Sequence, residues 1–542
     1  MVERSIQRGE VILELNPEQI AARDAVDGDH VVIAGPGSGK TATLIERYKG
    51  MLMRGIPTTD ILNLTFTNSA ATEMVSRAGL LGAENVFRTF HSFALDLLKR
   101  ERMHLPFPVS DTIIPVYGQD FQLLKDLLKL YPAITTFRTL KERLSEWKCS
   151  NISPEQAMEE TYYSKGTDFF YATAYREYEQ KCREQGWLDF DSLMKETVKL
   201  LETNDEVRRR NQRKYIAVDE CQDTDVVQFQ LLKLIYGGNI FVVGDENQLI
   251  YEWRSAVAGN LSNFARTFPG ARTLYLGQNY RSTQALVEFF KRILPVDNGL
   301  ASHMFSMRPV GTTPIITKYG DEIQEAAVTV KRIMDPANTA VIARTNRQLL
   351  AFQKVCMARG LKSQILGRKN LWQMTEVAHL IKLAKEKTNS PLPASEVLTE
   401  LMTRHNLAWL YRNSGGPLEK DPIENLNNFI KLAANRGTVS EFLEWLRKLT
   451  YASCRSKKEP EPVVTLTTVH QAKGREFRHV FIIGAKQGIM PHADGESLEE
   501  HRIFFVGCSR AADTLDISFY GPMSQFLNDF KDKVVVYDPE NS

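Results

Sequence analysis

The chain has 542 residues, enough for more than one core, and its length suggests three or four structural units. Lys and Arg total 68 against 66 Asp and Glu, so the net charge of +2 identifies no partner, although a local basic groove is compatible with it. The six cysteines (Cys149, Cys182, Cys221, Cys356, Cys454 and Cys508) are scattered without a CxxC pair, which excludes a disulfide scaffold and a thiolate zinc site and points to a reducing compartment.

The first ten residues are polar and charged, with no signal-peptide core. No run approaches the roughly 20 apolar residues of a membrane helix. The expectation is a soluble, cytoplasmic protein with no membrane partner. Residues 30–33, 61–65 and 86–90 read as short buried strands, each followed by helical spacing: 41–49, 68–77 and onward to 100. Strand then helix, repeated, predicts a parallel α/β sheet. From His104 to Trp187 charge, aromatics and helical spacing dominate, which predicts a mainly helical insertion. The strand pattern returns at 215–219 and 240–244.

A second α/β unit is predicted from Thr273, with strands at 313–318, 339–342, 463–467, 480–483 and 515–519. Residues 371–450 are helical, broken at 389–393 and at the Gly-, Pro- and Asn-rich stretch 413–422. Residues 455–462 read as a linker. The resulting plan is two α/β parallel-sheet domains, each with an inserted, mainly helical subdomain: 1–103 with 188–272, interrupted by 104–187, and 273–370 with 463–542, interrupted by 371–462.

Two sequences handle phosphate. Ala34-Gly35-Pro36-Gly37-Ser38-Gly39-Lys40-Thr41 lies between a strand and a helix. Small residues let backbone N–H groups curl around an anion at a helix N-terminus, Lys40 reaches the outer phosphates and Thr41 can ligate magnesium. Gly35, Gly37, Ser38 and Gly39 line that loop. Val218-Asp219-Glu220 ends an apolar run in two carboxylates, with Asp219 for magnesium and Glu220 to position water. An Asp-Glu pair at a strand end is ordinary alone, but with the upstream loop it describes a nucleoside triphosphatase that uses Mg2+.

The ordered series of motifs resembles the superfamily 1A DNA helicases of the UvrD, Rep and PcrA type, over about Leu15 to Phe526, with little likeness inside the insertions. The resemblance implies two RecA-like domains. Leu15-Asn16-Pro17-Glu18-Gln19 resembles the Q motif, with Gln19 on the adenine edge. Thr65-Phe66-Thr67-Asn68 and Thr89-Phe90-His91-Ser92-Phe93 resemble motifs that face single-stranded DNA. Val218-Asp219-Glu220-Cys221-Gln222-Asp223 departs from the family pattern only in Cys221, where Phe is usual. Val243-Gly244-Asp245 with Gln248, Tyr251, Trp253 and Arg254 resembles motif III, in which Gln248 senses the terminal phosphate while Tyr251 and Trp253 meet bases.

Asn279-Tyr280-Arg281-Ser282 resembles motif IV, which implies that Tyr280 stacks on adenine and Arg281 contacts the terminal phosphate. Val469-His470-Gln471-Ala472-Lys473-Gly474-Arg475-Glu476-Phe477 resembles motif V, with Glu476 toward the ribose. Gly488-Ile489-Met490-Pro491-His492 resembles a DNA-contacting loop, and the run to Ser509-Arg510-Ala511 resembles motif VI, with Arg510 as a second arginine finger. The family's Arg after the phosphate-loop Thr is Ala42 here, which leaves more of the base selection to Gln19 and Tyr280.

The implied catalytic set is Lys40, Asp219, Glu220, Gln248, Arg281 and Arg510. The first three are expected on the first domain and both arginines on the second, so that closure completes the site. The implied DNA-contacting set is Phe66, Thr67, Asn68, His91, Tyr251, Trp253, His470 and His492. The implied function is an ATP-dependent helicase moving 3′ to 5′ on single-stranded DNA. The rival readings are a translocase that strips proteins with little unwinding and an ATP-switched DNA-binding scaffold. Implied partners are single-stranded DNA, duplex junctions and a repair or replication protein. Two basic runs, Arg208 to Lys214 and Arg447 to Lys458, are further phosphate candidates. The insertion after Arg368 is short for the family, and the tail after Phe526 is expected to hold no nuclease domain.

Overall fold

The computed structural model describes residues 4–7, 10–79, 82–107, 119–131, 137–162, 167–250, 259–367, 371–407, 422–455, 462–493 and 495–538. A short antiparallel hairpin, β1 (Arg4–Gln7) and β2 (Glu10–Leu13), precedes two parallel sheets. The first sheet has six strands: β3 (His30–Ala34), β4 (Ile61–Thr65), β5 (Phe87–Thr89), β6 (Arg213–Val218), β7 (Tyr236–Gly244) and β8 (Arg272–Leu276). Their order is β5-β4-β6-β7-β3-β8, every pairing parallel. β3 and β4 are buried along their whole length, as expected of strands covered by helices on both faces.

After the two-residue strands β9 (Gln278–Asn279) and β10 (Phe305–Ser306), the second sheet has seven strands. They are β11 (Ile315–Tyr319), β12 (Thr339–Ala343), β13 (Ser363–Ile365), β14 (Val464–Thr468), β15 (Phe477–Ile482), β16 (Ala511–Tyr520) and β17 (Val534–Val536), ordered β13-β14-β12-β15-β16-β11-β17, again all parallel. The α/β plan of two parallel sheets is therefore present, and each apolar run read as a strand is one. β8 differs in assignment: residue 273, the expected start of the second unit, sits inside a strand that pairs with β3 in the first sheet. The chain crosses to the second sheet only after residue 276.

The chain divides into two compact units. One holds both sheets (1–105, 193–366 and 462–542), and the other combines the two helical insertions (106–192 and 367–461). The insertions share one apolar core, in which Leu127, Trp147 and Tyr175 belong to the same cluster as Leu380, Phe429 and Phe442. Within this unit a buried ammonium, Lys148, meets Glu179 and Asp189 at 2.7 Å each and Ser192 Oγ at 2.8 Å, so the charge is compensated. Among the described residues, no helix is long and apolar enough to cross a membrane.

Candidate active site

Parallel strands deliver their loops to one edge, and that edge of the first sheet carries the candidate residues. β3 runs into the phosphate loop and then α1 (Lys40–Met53). Gly37 and Gly39 have φ of +69° and +82°, the left-handed region that glycine enters without steric cost. A Cβ at Gly37 would lie 2.8 Å from Arg281 Cβ, and one at Gly39 would lie 2.8 Å from Gln19 Nε2. The loop is therefore packed from outside, with its N–H groups at a helix N-terminus. Ser38 braces it by donating its hydroxyl to Gly35 O at 2.8 Å.

The helix at Pro17–Asp24 begins with a capping box in which Asn16 Oδ1 accepts the Gln19 amide at 2.7 Å and Asn16 N donates to Gln19 Oε1 at 3.1 Å. Gln19 Nε2 donates to Ser38 O at 3.0 Å, and Tyr280 OH donates to Gln19 Oε1 at 3.2 Å. The side chain expected on adenine thus joins the helix cap, the phosphate loop and Tyr280.

β6 ends at the acidic pair. Asp219 is buried beside Thr41 and Glu220, and its carboxyl is pushed up to about 7, first by burial and then by the Glu220 charge. Glu220 adopts φ +50°, unusual for a residue with a Cβ, at the strand-to-loop turn. Burial alone would raise its carboxyl, but Lys40, Lys473 and Arg510 and a hydrogen bond from Gln222 outweigh burial and hold it below the usual range. Lys40 Nζ lies 3.7 Å from Glu220 Oε1, and Gln222 Nε2 donates to Glu220 Oε2 at 2.7 Å. One carboxylate is thus kept ionised and oriented, while for its neighbour burial and the Glu220 charge outweigh Lys40. Gln222 Oε1 accepts the Asp245 amide at 3.0 Å, and Gln248 donates to Asp245 Oδ2 at 2.7 Å, which locks the end of β7 to the end of β6.

The opposite wall comes from the second sheet. Arg510, 2% exposed, immediately precedes β16. Its Nε donates to Val506 O at 2.9 Å and its Nη2 to Gln248 Oε1 at 3.4 Å, so it reaches across to the first half. Burial first, and then Arg281, lowers its guanidinium to about 9. Lys473, after β14, grips buried Asp223 with contacts of 2.9 and 2.6 Å. Burial pushes the Asp223 carboxyl up to about 6 despite that ammonium.

Arg281 lies in a segment whose backbone is tied to the phosphate loop: Tyr280 N donates to Gly37 O at 2.9 Å and Asn279 Nδ2 to Pro36 O at 2.8 Å. The cause is β8, which places the chain beside β3 just before this turn. The Arg281 side chain then reaches the second half, with Nε on Glu476 at 2.9 Å and Nη1 on Ser509 O at 3.0 Å. Glu476, expected at the ribose, here pairs with that guanidinium.

The structure gathers Lys40, Thr41, Asp219, Glu220, Gln248, Arg281 and Arg510 around one cleft. Asn279, Gln222, Asp223 and Lys473 belong to the same network and received no role from sequence. The only available signal was their position inside the motif windows.

The DNA candidates lie elsewhere on the sheets. Phe66 follows β4 and is half-buried; Thr67 caps the helix Asn68–Ala78 by accepting the Ala70 amide at 3.1 Å, and Asn68 is exposed. His91 lies in the helix that follows β5, and burial lowers its imidazole. His470 follows β14, where burial and then Arg344 lower it to about 4, so it is neutral at physiological pH. The His492 amide donates to Glu500 at 2.8 Å, and Arg344 Nη2 meets the same carboxylate at 2.6 Å. Tyr251, Trp253 and Arg254 lie outside the described residues.

In the first basic run, Arg208 pairs with Asp205 and Arg210 with Glu101 and Glu206, while burial lowers Arg213. These arginines stabilise the approach to β6. In the second run, 456–461 lie outside the described residues.

Comparisons with known proteins agree with this layout. Residues 15–269 match the UvrD/REP helicase N-terminal domain, and 274–395 with 395–521 match the UvrD-like helicase C-terminal domain. ATP-dependent DNA helicase PcrA of Staphylococcus epidermidis is 27% identical over 619 residues, covering 94% of this chain and 83% of that protein. Its namesake from Staphylococcus aureus is 26% identical over 615 residues, covering 93% and 83%. A solved C-terminal domain of a possible DNA helicase from a Lactobacillus covers 48% of this chain and 99% of its own, at 15% identity and a TM-score of 0.25, too low to bear on the fold.

Proposed function

The chain belongs to the UvrD/REP helicase family, and from that premise we propose that it is an ATP-dependent DNA helicase that moves 3′ to 5′ along single-stranded DNA and separates duplex. The observation that carries the reading is Arg510, buried and donating to Gln248 across the cleft from Lys40 and Glu220.

The residues present fit a magnesium nucleotide. Gly37 and Gly39 shape a cradle of backbone amides, and the Thr41 hydroxyl beside the buried Asp219 carboxyl offers the oxygen ligands that magnesium takes. When bound, ATP with magnesium supplies a transferable phosphoryl group whose charge the metal partly neutralises.

The remaining work falls to the chain. Lys40 binds phosphate oxygens at the mouth of the helix. Glu220, kept ionised and held by Gln222, orients a water and takes up its proton. Arg281 and Arg510 bring guanidinium charge to the phosphoryl oxygens from the two walls. Because Arg510 and Lys473 come from the second sheet and Glu220 and Asp223 from the first, catalysis depends on how closely the sheets approach. Alternation between closed and open states would advance a strand across Phe66, Asn68 and His492 by backbone contact and base stacking, which tolerates any sequence.

The test compares ATP-driven strand separation on 3′-tailed, 5′-tailed and blunt duplexes, with an RNA control. The reading expects DNA-stimulated ATP hydrolysis and separation that requires the 3′ tail. Preference for a 5′ tail overturns the polarity, and stimulation without separation reduces the activity to translocation.

A further inference from the structure

Asn279 is 1% exposed and spans two elements of the cleft. Its Nδ2 donates to the Pro36 carbonyl of the phosphate loop at 2.8 Å. Its Oδ1 accepts the amides of Arg281 at 2.8 Å and Ser282 at 2.7 Å, which folds the chain into a tight turn under the arginine. Gly37 permits the approach, because a Cβ there would lie 2.8 Å from Arg281 Cβ and 3.1 Å from Asn279 Oδ1.

Connections continue beyond the turn. Fully buried Ser282 donates its hydroxyl to Ala511 O at 2.6 Å, and the Thr283 amide donates to Ala512 O at 3.1 Å. Arg308 ties the same strand start by donating to Ala512 O at 3.0 Å and Asp513 Oδ1 at 2.6 Å. Ala511 directly follows Arg510. An unbroken set of short hydrogen bonds therefore runs from Pro36 through Asn279 and Ser282 to the residue after the second arginine.

We propose that Asn279 is a positioning residue that clamps the arginine turn to the phosphate loop, so that Arg281 directly, and Arg510 through Ser282, are held in register with the phosphates. The clamp touches neither nucleotide nor reacting atoms and acts through the residues it holds. It rests on the reading of this cleft as an ATP-hydrolysing site. A buried amide that satisfies one carbonyl and two amides has no equivalent among apolar residues, so its loss leaves three backbone groups unpaired. A displacement of about 1 Å in a positioned catalytic group costs on the order of 100-fold in rate.

Five variants of the full chain test the clamp: Asn279→Ala, Asn279→Asp, Ser282→Ala, Arg510→Ala and Asn279→Ala combined with Arg510→Ala. Equilibrium binding of a fluorescent ATP analogue, DNA-stimulated turnover and melting temperature are measured for each. Asn279→Asp keeps the acceptor for the two amides but sets an oxygen against Pro36 O, so it breaks the strap and keeps the turn. The expected result is a kcat at least about 30-fold below the parent in both Asn279 variants, with analogue affinity within about threefold. Ser282→Ala, which removes one hydroxyl and tests the clamp even if Asn279→Ala fails to fold, should lower kcat about tenfold with a near-parental melting temperature. The double variant should fall below Arg510→Ala alone by a smaller factor than Asn279→Ala falls below the parent, because only the hold on Arg281 is left to lose.

Turnover within twofold of the parent in Asn279→Asp and Ser282→Ala, or losses that multiply in the double variant, overturns the clamp alone. A parent chain without DNA-stimulated ATPase overturns the functional reading and the clamp with it.

Discussion

Glu325→Gln should stabilise the protein at alkaline pH and slightly destabilise it in acid. Glu325 is 2% exposed in the helix Glu322–Arg332, where its Oε1 accepts the Gly484 amide at 3.0 Å and the Ser518 hydroxyl at 2.7 Å. Burial pushes its carboxyl from 4.5 up to about 7; the two hydrogen bonds pull it down but do not offset burial. The folded chain therefore keeps a proton that the unfolded chain loses between pH 4.5 and about 7. Stability falls as pH rises through that window, and the cost is complete above it. A shift of this size corresponds to about 3 kcal/mol.

Glutamine keeps the acceptor and removes the titration, but its new N–H pair needs partners, so the net gain at pH 8.5 should be about 2 kcal/mol. Thermal denaturation of the full chain should show a rise of roughly 2 °C at pH 8.5 and a fall of about 1 °C at pH 4.5. An equal shift at both pH values, or a loss at pH 8.5, would refute the reasoning, because the buried charge would not be the source of the cost.

Other outcomes follow from the same electrostatics. Lys473→Met leaves the Asp223 carboxylate buried without its cation and should destabilise the protein by about 3–5 kcal/mol in denaturant unfolding, with much of the loss recovered when Asp223→Leu is added. His470 stays neutral above about pH 4, so His470→Gln should leave the salt dependence of single-stranded DNA binding unchanged; a slope reduced by about one ion would instead identify it as a charged phosphate contact. Cys221, fully buried with its thiol pushed up to about 12 by burial, should not be labelled by a thiol reagent at pH 7.5 in the native protein, as mass spectrometry of the labelled peptides would record.

Local chemistry made much of the fold readable. Strands such as β3 and β12 are buried throughout and apolar after their first residue because helices cover both sheet faces, so they stand out against amphipathic helices. Lys40, Thr41, Asp219 and Glu220 were readable because phosphate and metal chemistry demands those residue types at strand ends. β8 was harder to assign, since Arg272, Thr273 and Tyr275 give no clue to which sheet they edge. The bonds that join the cleft were hidden for a related reason: Asn279 meets Pro36 across 243 residues and Lys473 meets Asp223 across 250, distances that no local periodicity encodes. Gln19 shows how a motif residue acquires a second duty, because its side chain is drawn into the capping box that starts its own helix.

The most direct test of a nucleotide site built between the two sheets is the pair of constants measured on Arg510→Ala: affinity for a non-hydrolysed ATP analogue and DNA-stimulated kcat. Arginines that neutralise a transferring phosphoryl group contribute on the order of 10³-fold or more. The predicted result is a kcat lowered at least to that extent, with affinity within about threefold of the parent. A kcat near the parental value would place Arg510 outside the reaction and contradict the two-walled site.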